Sequence, residues 1–398
     1  MTSQSGGADM ADAADATGMV DWNLAVSTAT RLARPGPEVT REEAREAVAE
    51  LHRHAAEAEQ HVRAFSRMAA PSGSAPGGTP VLVVDRPGWI RANVTGFRTL
   101  LTPLAERMQA RRAAGPGGAL GGAVLGSVGG KVTGIELGML LAFLSSKVLG
   151  QYETFAPAEV PSDLSSLEDG HAVQPGRLLL VAPNIVAVER ELDVDPHDFR
   201  LWVCLHEETH RTQFTAVPWL RDHIEGEIQA FLAQTDIDPA ALLERIRVAA
   251  GSLPGFGGGN EEAEAGAEGD NGSLMDLVQS PEQREILGRL TAVMSLLEGH
   301  ADVVMDGVGP QVVPTVAEIR EKFQQRRAKG TGRLDSLLRK ALGLEAKMRQ
   351  YQDGAVFVRA AVDAVGMDGF NRVWTSPNTL PTKEEIHNPA AWVSRIHK

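Results

Sequence analysis

The chain has 398 residues, 43% of them hydrophobic, which is more than one ordinary domain needs and enough to bury a sizeable core. Its single cysteine, Cys204, excludes a disulfide framework and a cysteine-based zinc finger. The net charge of −13 is mostly local: residues 1–30 contribute −4 and residues 251–276 contribute −6, neither with a base, so the remainder is nearly neutral and gives no reason to expect nucleic acid or a membrane surface as partner.

Aromatic residues are only 5% of the chain, while Ala and Gly abound. That composition favours closely packed helices over a β-sandwich, and the expected fold is mainly α with a small β-sheet (α+β). Residues 1–20 lack a basic segment and an apolar run, so they read as a disordered acidic leader and not a signal peptide, on a cytoplasmic chain. Arg41–Met68 has the period of an amphipathic helix, opened by Thr40 with Glu43 as a capping box. Its histidines His52, His54 and His61 share no tight face and read as solvated. Val81–Val84 is a short β-type run.

The stretch Ala113–Gly150 is uncharged up to Gly130, with Gly118, Gly122, Gly126 and Gly130 at every fourth position. Such a stripe lets two helices approach closely. Its glycines, Pro116 and later charges predict a buried helical hairpin, with no stable membrane span. Gly130-Lys131 is not a phosphate loop, because Val132 stands where Ser or Thr is needed and Leu125 where the first glycine is needed. Leu178–Val181 and Ile185–Val188 are further β-type runs, and they suggest a small sheet whose edge could align an extended peptide. Residues 157–174 are loop-like.

Residues 251–273 are Gly-rich, acidic and without apolar period, which predicts a disordered linker within a domain spanning 21–390. Limited proteolysis should therefore cut first in 251–273; cleavage elsewhere, with this stretch resistant, would mean that it is ordered. Helices resume at Ser280, with Pro281 and Gln283 as start signals, and again at Thr315 with Glu318. Residues 320–349 hold ten bases against three acids but only one aromatic, Phe323, so they read as a solvated helical face. Residues 391–398 are expected to be a tail.

The residues that carry chemistry lie on a helix expected near 197–215, opened by Asp195-Pro196. There His206-Glu207-Glu208-Thr209-His210 is H-E-x-x-H. The i, i+4 spacing puts both imidazoles on one face, where both can reach one Zn²⁺ at about 2.0–2.1 Å. Glu207 flanks that position and can act as general base on a zinc-activated water. A third ligand is required. The extended motif fails, since Gln213 and Ala216 occupy its glycine and third-histidine positions. On the helix expected from Pro281 to Asp306, Ile286, Leu290, Met294, Leu297, Ala301, Val304 and Met305 form a core-facing stripe bordered by Glu298. A carboxylate there needs a partner, which makes Glu298 the leading candidate, with Glu225 and Glu227 as alternatives. Asp302, four residues on, could orient a ligating imidazole.

With these strings, together with Pro218-Trp219-Leu220 and Leu297-Glu-Gly-His-Ala-Asp302, the chain resembles a zincin-like metallopeptidase family, mostly actinobacterial. Some of its members carry a hydrolase label or one tied to deazaflavin-cofactor biosynthesis. The resemblance implies a mainly helical zincin lobe with His206, His210 and Glu298 as zinc ligands, Glu207 as catalytic base, and a gluzincin-like Glu298-x-x-x-Asp302. It implies a zinc-dependent hydrolase, a metallopeptidase acting on a peptide or protein. The alternative is a zincin-fold scaffold with structural zinc and no hydrolysis. Candidate oxyanion donors are His300, Tyr152, Tyr351, His223 and Arg211, while Cys204 reads as a buried apolar residue.

Overall fold

The computed structural model describes residues 20–68, 79–114, 121–156, 176–234, 280–329 and 344–398. The expected linker at 251–273 and residues 1–19 of the leader lie outside the described residues. Within them, the architecture is helical around a three-stranded sheet, in accord with the expected fold class.

The first helices are α1 (Trp22–Leu32) and α2 (Arg41–Ser66). Asp21 caps α1, and the Thr40–Glu43 capping box opens α2. Then come β1 (Val81–Val84), α3 (Arg86–Ala114), α4 (Gly121–Leu144), β2 (Gly150–Glu153) and β3 (Arg177–Val181). Helices α5 (Ala182–Leu192), α6 (Pro196–Ala216) and α7 (Pro218–Ala233) each begin with proline in their first two positions, where the missing N–H costs nothing. After them follow α8 (Pro281–Val308), α9 (Val316–Lys329) and α10 (Leu344–Phe370), two short 3₁₀ turns, α11 (Lys383–Ile386) and α12 (Pro389–Ile396).

The sheet order is β1-β3-β2, with β1 parallel to β3 and β2 antiparallel to it. All five residues of β3 are buried, because helices cover both its faces. Leu180 enters a core built from α2, α5, α6 and α8, while Leu179 and Val181 enter another built from α1, α3 and α4. A third core joins α7, α8, α10 and α12 around Phe357, Phe370 and Trp392.

Several expectations change at this level. Ile185–Val188 is not a strand but part of α5, where Ile185, Val188 and Leu192 face the core at helical spacing. A four-residue apolar run cannot distinguish the two by period alone. The strand available as a sheet edge beside α6 is therefore β2, since β3 is paired on both sides. His54 is buried, not solvated, although His52 is exposed. Met294 is exposed, so the core stripe of α8 is centred on Val293, Leu297, Ala301 and Val304. Thr315 donates both its N–H and its hydroxyl to Asp198 Oδ2 (2.8 and 2.7 Å), tying α9 to α6. The expected tail begins inside α12, whose Trp392 is fully buried. Described bases of the 320–349 stretch are paired with acids: Arg320 with Asp302 and Asp306, Lys322 with Glu318, and Arg326 with Glu191.

Among the described residues no helix is long and apolar enough to cross a membrane. Instead α4 packs on α1. A Cβ at Gly134 would stand 2.6 Å from Asp21 O, and one at Gly138 2.8 Å from Ala25 O. These two glycines continue the four-residue period noted in the sequence, and at their positions it serves close helix contact.

Candidate metal centre

Helix α6 carries the H-E-x-x-H string through the middle of the molecule, with its start fixed by the Asp195 side chain on the Asp198 N–H (3.0 Å). One turn apart, the rings of His206 and His210 stand edge to face with centroids 4.8 Å apart. Their Nε2 atoms are separated by 3.3 Å. From α8, Glu298 brings Oε2 to 3.7 Å from His206 Nε2 and Oε1 to 3.7 Å from His210 Nε2. Glu227 is engaged elsewhere, by Arg289 at 2.7 Å. Two atoms bound about 2.0–2.1 Å from a tetrahedral centre stand about 3.3 Å apart. Two imidazole nitrogens and a carboxylate at these separations fit a zinc ion. All three side chains are partly exposed, so the site opens to solvent on one side.

Glu207 adjoins this triangle on the same helix, near enough for the Glu298 charge to act on it. It is buried, and β2 passes directly over it: a Cβ at Gly150 would be 2.5 Å from Glu207 Cγ and 2.7 Å from Cδ. Burial, followed by the negative charge of Glu298, pushes its carboxyl well above the ordinary range. A carboxyl with raised proton affinity beside a cation site suits a group that must take up and release a proton.

The neighbouring Glu208 is also buried, and burial raises it to about 7 despite the Arg211 guanidinium beside it. Arg211 donates to Glu208 Oε1 (2.7 Å), Glu59 Oε2 (2.8 Å) and Thr79 O (2.9 Å). This network braces α6 against α2, so Arg211, an oxyanion candidate in the sequence, is committed to structure.

Gln213, which stands at the glycine position of the extended motif, has a role that the motif does not predict. Gln213 is fully buried. Its Oε1 lies 2.9 Å from His210 Nδ1, and its Nε2 donates to Leu297 O (2.9 Å) and meets His300 Nδ1 at 3.0 Å. The amide thus accepts from His210 Nδ1–H, which leaves the Nε2 lone pair facing Glu298, and it ties α6 to the turn of α8 that carries Glu298. His300 is buried against Phe370 and Trp374, and burial, with the His210 imidazole nearby, lowers it to about 3. It is a neutral support for Gln213 and is turned away from the open side of the site. The spacing of Gln213, three residues after His210, was the available signal.

Asp302, by contrast, meets arginines: Arg320 at 3.1 Å and Arg359 at 3.3 Å. The positions of Gln213 and Asp302 make a measurable contrast. Gln213→Ala should weaken zinc binding by roughly 10–100-fold, as loss of a group that orients a ligand does. If Asp302→Ala weakens zinc as much and Gln213→Ala does not, the imidazole is held from the other side. Tyr152 reaches the region from β2, stacked on Phe214 at 5.5 Å, and burial pushes its hydroxyl up to about 12. It is therefore a neutral O–H at pH 7. His223 packs edge-on against Trp219, and the Tyr351 side chain lies outside the described residues.

Comparison with known proteins gives the family and the fold. The model of the zincin-like metallopeptidase family matches residues 20–393. A crystal structure from Chloroflexus aurantiacus, described as a candidate hydrolase with a novel fold, is 29% identical, with a TM-score of 0.62 over 95% of this chain and 99% of that one. Among curated proteins none matches the chain. The match over residues 20–393, nearly the whole length, identifies the chain as a member of the zincin-like metallopeptidase family.

Proposed function

We propose that the chain is a zinc-dependent hydrolase that cleaves peptide bonds, with His206, His210 and Glu298 holding the metal and Glu207 as general base. The observation that carries this reading is the convergence of two imidazole nitrogens and a carboxylate within 4.8 Å of one another, with a buried carboxyl on the adjoining position of the same helix. A zinc ion held there supplies a Lewis acid for a carbonyl oxygen and lowers the pKa of water to about 7.

The chain's own residues supply the remainder. Glu207 accepts a proton from water at its carboxylate and delivers it to the leaving amine. Gly150 keeps β2 close enough to hold that carboxylate in place. Gln213 and His300 fix the tautomer of His210. On β2, one edge is paired with β3, the other pairs with no strand among the described residues, and a peptide strand added there would extend the strand that covers Glu207. That placement favours a peptide over a compact substrate.

The test is to incubate purified protein with a peptide mixture and follow products by mass spectrometry. Cleavage should disappear when a chelator removes zinc and return on adding it back. A chain that keeps zinc but cuts no peptide would be a zincin-fold scaffold.

A further inference from the structure

A second group of ligating side chains lies away from the centre just described, and the proposed function does not use it. Glu50 and His54 stand one turn apart on α2, and His197 stands in the first turn of α6. His197 precedes His206 by nine residues, so the two groups are separated by about 13 Å along the same helix. One ligand atom from each of the three residues lies within 4.8 Å of the others.

The protonation pattern is what needs explaining. His54 is buried, with only 3% of its surface exposed. Its Nδ1 lies 3.4 Å from Glu57 Oε2. A carboxylate oxygen can only accept, so Nδ1 carries the hydrogen and Nε2 is a bare lone pair. That Nε2 has no hydrogen-bond partner among the described residues, and it stands 3.6 Å from Glu50 Oε1. Two acceptors thus face each other across a half-buried gap, an arrangement that favours a cation between them. Glu50 Oε1 also lies 3.4 Å from His197 Nδ1, and the two rings meet edge-on with centroids 4.5 Å apart. Separations of 3.4 and 3.6 Å are near the ~3.3 Å expected between ligands of one tetrahedral ion.

The surrounding contacts agree with this. Arg200 binds the other oxygen of Glu50 and both oxygens of Glu189, and it leaves Glu50 Oε1 to the imidazoles. The Glu57–His54 contact has the carboxylate-to-imidazole form that orients a ligating ring. His197 is exposed, which opens the group to ions from solvent.

We propose that Glu50, His54 and His197 form a second divalent-cation site, with zinc as its ion, that joins α2 to the first turn of the motif helix. Two imidazoles and one carboxylate suit zinc better than the hard cations calcium or magnesium.

The experiment is zinc stoichiometry on the full chain, stripped of metal, dialysed against zinc chloride and measured by atomic emission. The parent should bind two equivalents. His197→Ala removes an exposed side chain, so the variant should fold, and it should bind one equivalent; His210→Ala should also bind one, and the double variant none. The thermal midpoint of His210→Ala should rise with added zinc, and that rise should vanish when His197→Ala is added. If His197→Ala binds as much zinc as the parent, the proposal is overturned. If His197→Ala loses one equivalent while His210→Ala loses none, the second site stands and the metallopeptidase reading fails.

Discussion

Glu207→Gln is expected to keep the parent's zinc content and lose peptide hydrolysis by about 10²–10⁴-fold, the usual contribution of a general base. The amide has nearly the same shape, so the contact with β2 at Gly150 survives, and none of the three ligand atoms is touched. His206→Ala, His210→Ala and Glu298→Ala should behave in the opposite order, each losing zinc first and hydrolysis as a result. Zinc content by atomic emission and peptide turnover, measured on the same samples, separate the two classes. If Glu207→Gln cleaves peptides at the parent's rate, the general base lies elsewhere. If Glu298→Ala retains full zinc, the third ligand is another carboxylate, and Glu225 would be the next to test.

The largest stability effect should come from a residue without a side chain. Gly299, directly after Glu298, sits where α8 crosses α10 in backbone contact. A Cβ there would be 2.1 Å from Gly354 C and 2.4 Å from Gly354 O. The reciprocal Cβ at Gly354 would be 1.9 Å from Ser295 O. Backbone cannot rotate aside as a side chain can, so the helices must separate. Overpacking of this kind costs about 1–3 kcal/mol and sometimes more, and it would displace Glu298 and the neighbouring Gln213 contact together. Gly299→Ala should therefore lower both the denaturation midpoint and zinc affinity. Gly288→Ala, on the same helix with nothing within 4 Å of its Cβ, serves as control and should be neutral or slightly stabilising. Equal midpoints for Gly299→Ala and the parent would mean that the two helices do not cross so closely.

The parts of this molecule that were legible in the sequence are those set by local chemistry. Thr40 with Glu43, Ser280 with Gln283, and Asp195 with Pro196 marked helix starts because a cap needs only residues within one turn. His206 and His210 were legible for the same reason. Glu298 rests on a different kind of signal, a carboxylate bordering an apolar stripe, and the structure brings it to 3.7 Å from both imidazoles although Met294 in the stripe is exposed. What could not be read were the contacts between distant elements. Nothing local in Gly150 says that it lies over Glu207, and nothing in Glu50 or His54 says that His197 meets them. Gln213 was overlooked because it was judged against a motif it does not match and not by what an amide three residues from an imidazole can do. Ile185–Val188 was misread because a short apolar run is shared by a buried strand and a buried helix, and only the neighbouring elements decide.

The burial of Trp392 bears on the order in which the chain is made. Its ring lies against Phe357 and Phe370, and Phe370 in turn contacts His300, which supports Gln213 and through it His210. Trp392 is translated 182 residues after His210, which at about 5–20 residues per second is about ten to forty seconds later. During that interval the motif helix has left the ribosome without the aromatic layer that steadies its second histidine. A nascent chain therefore carries His206 and His210 well before it carries the aromatic layer that completes the support of His210.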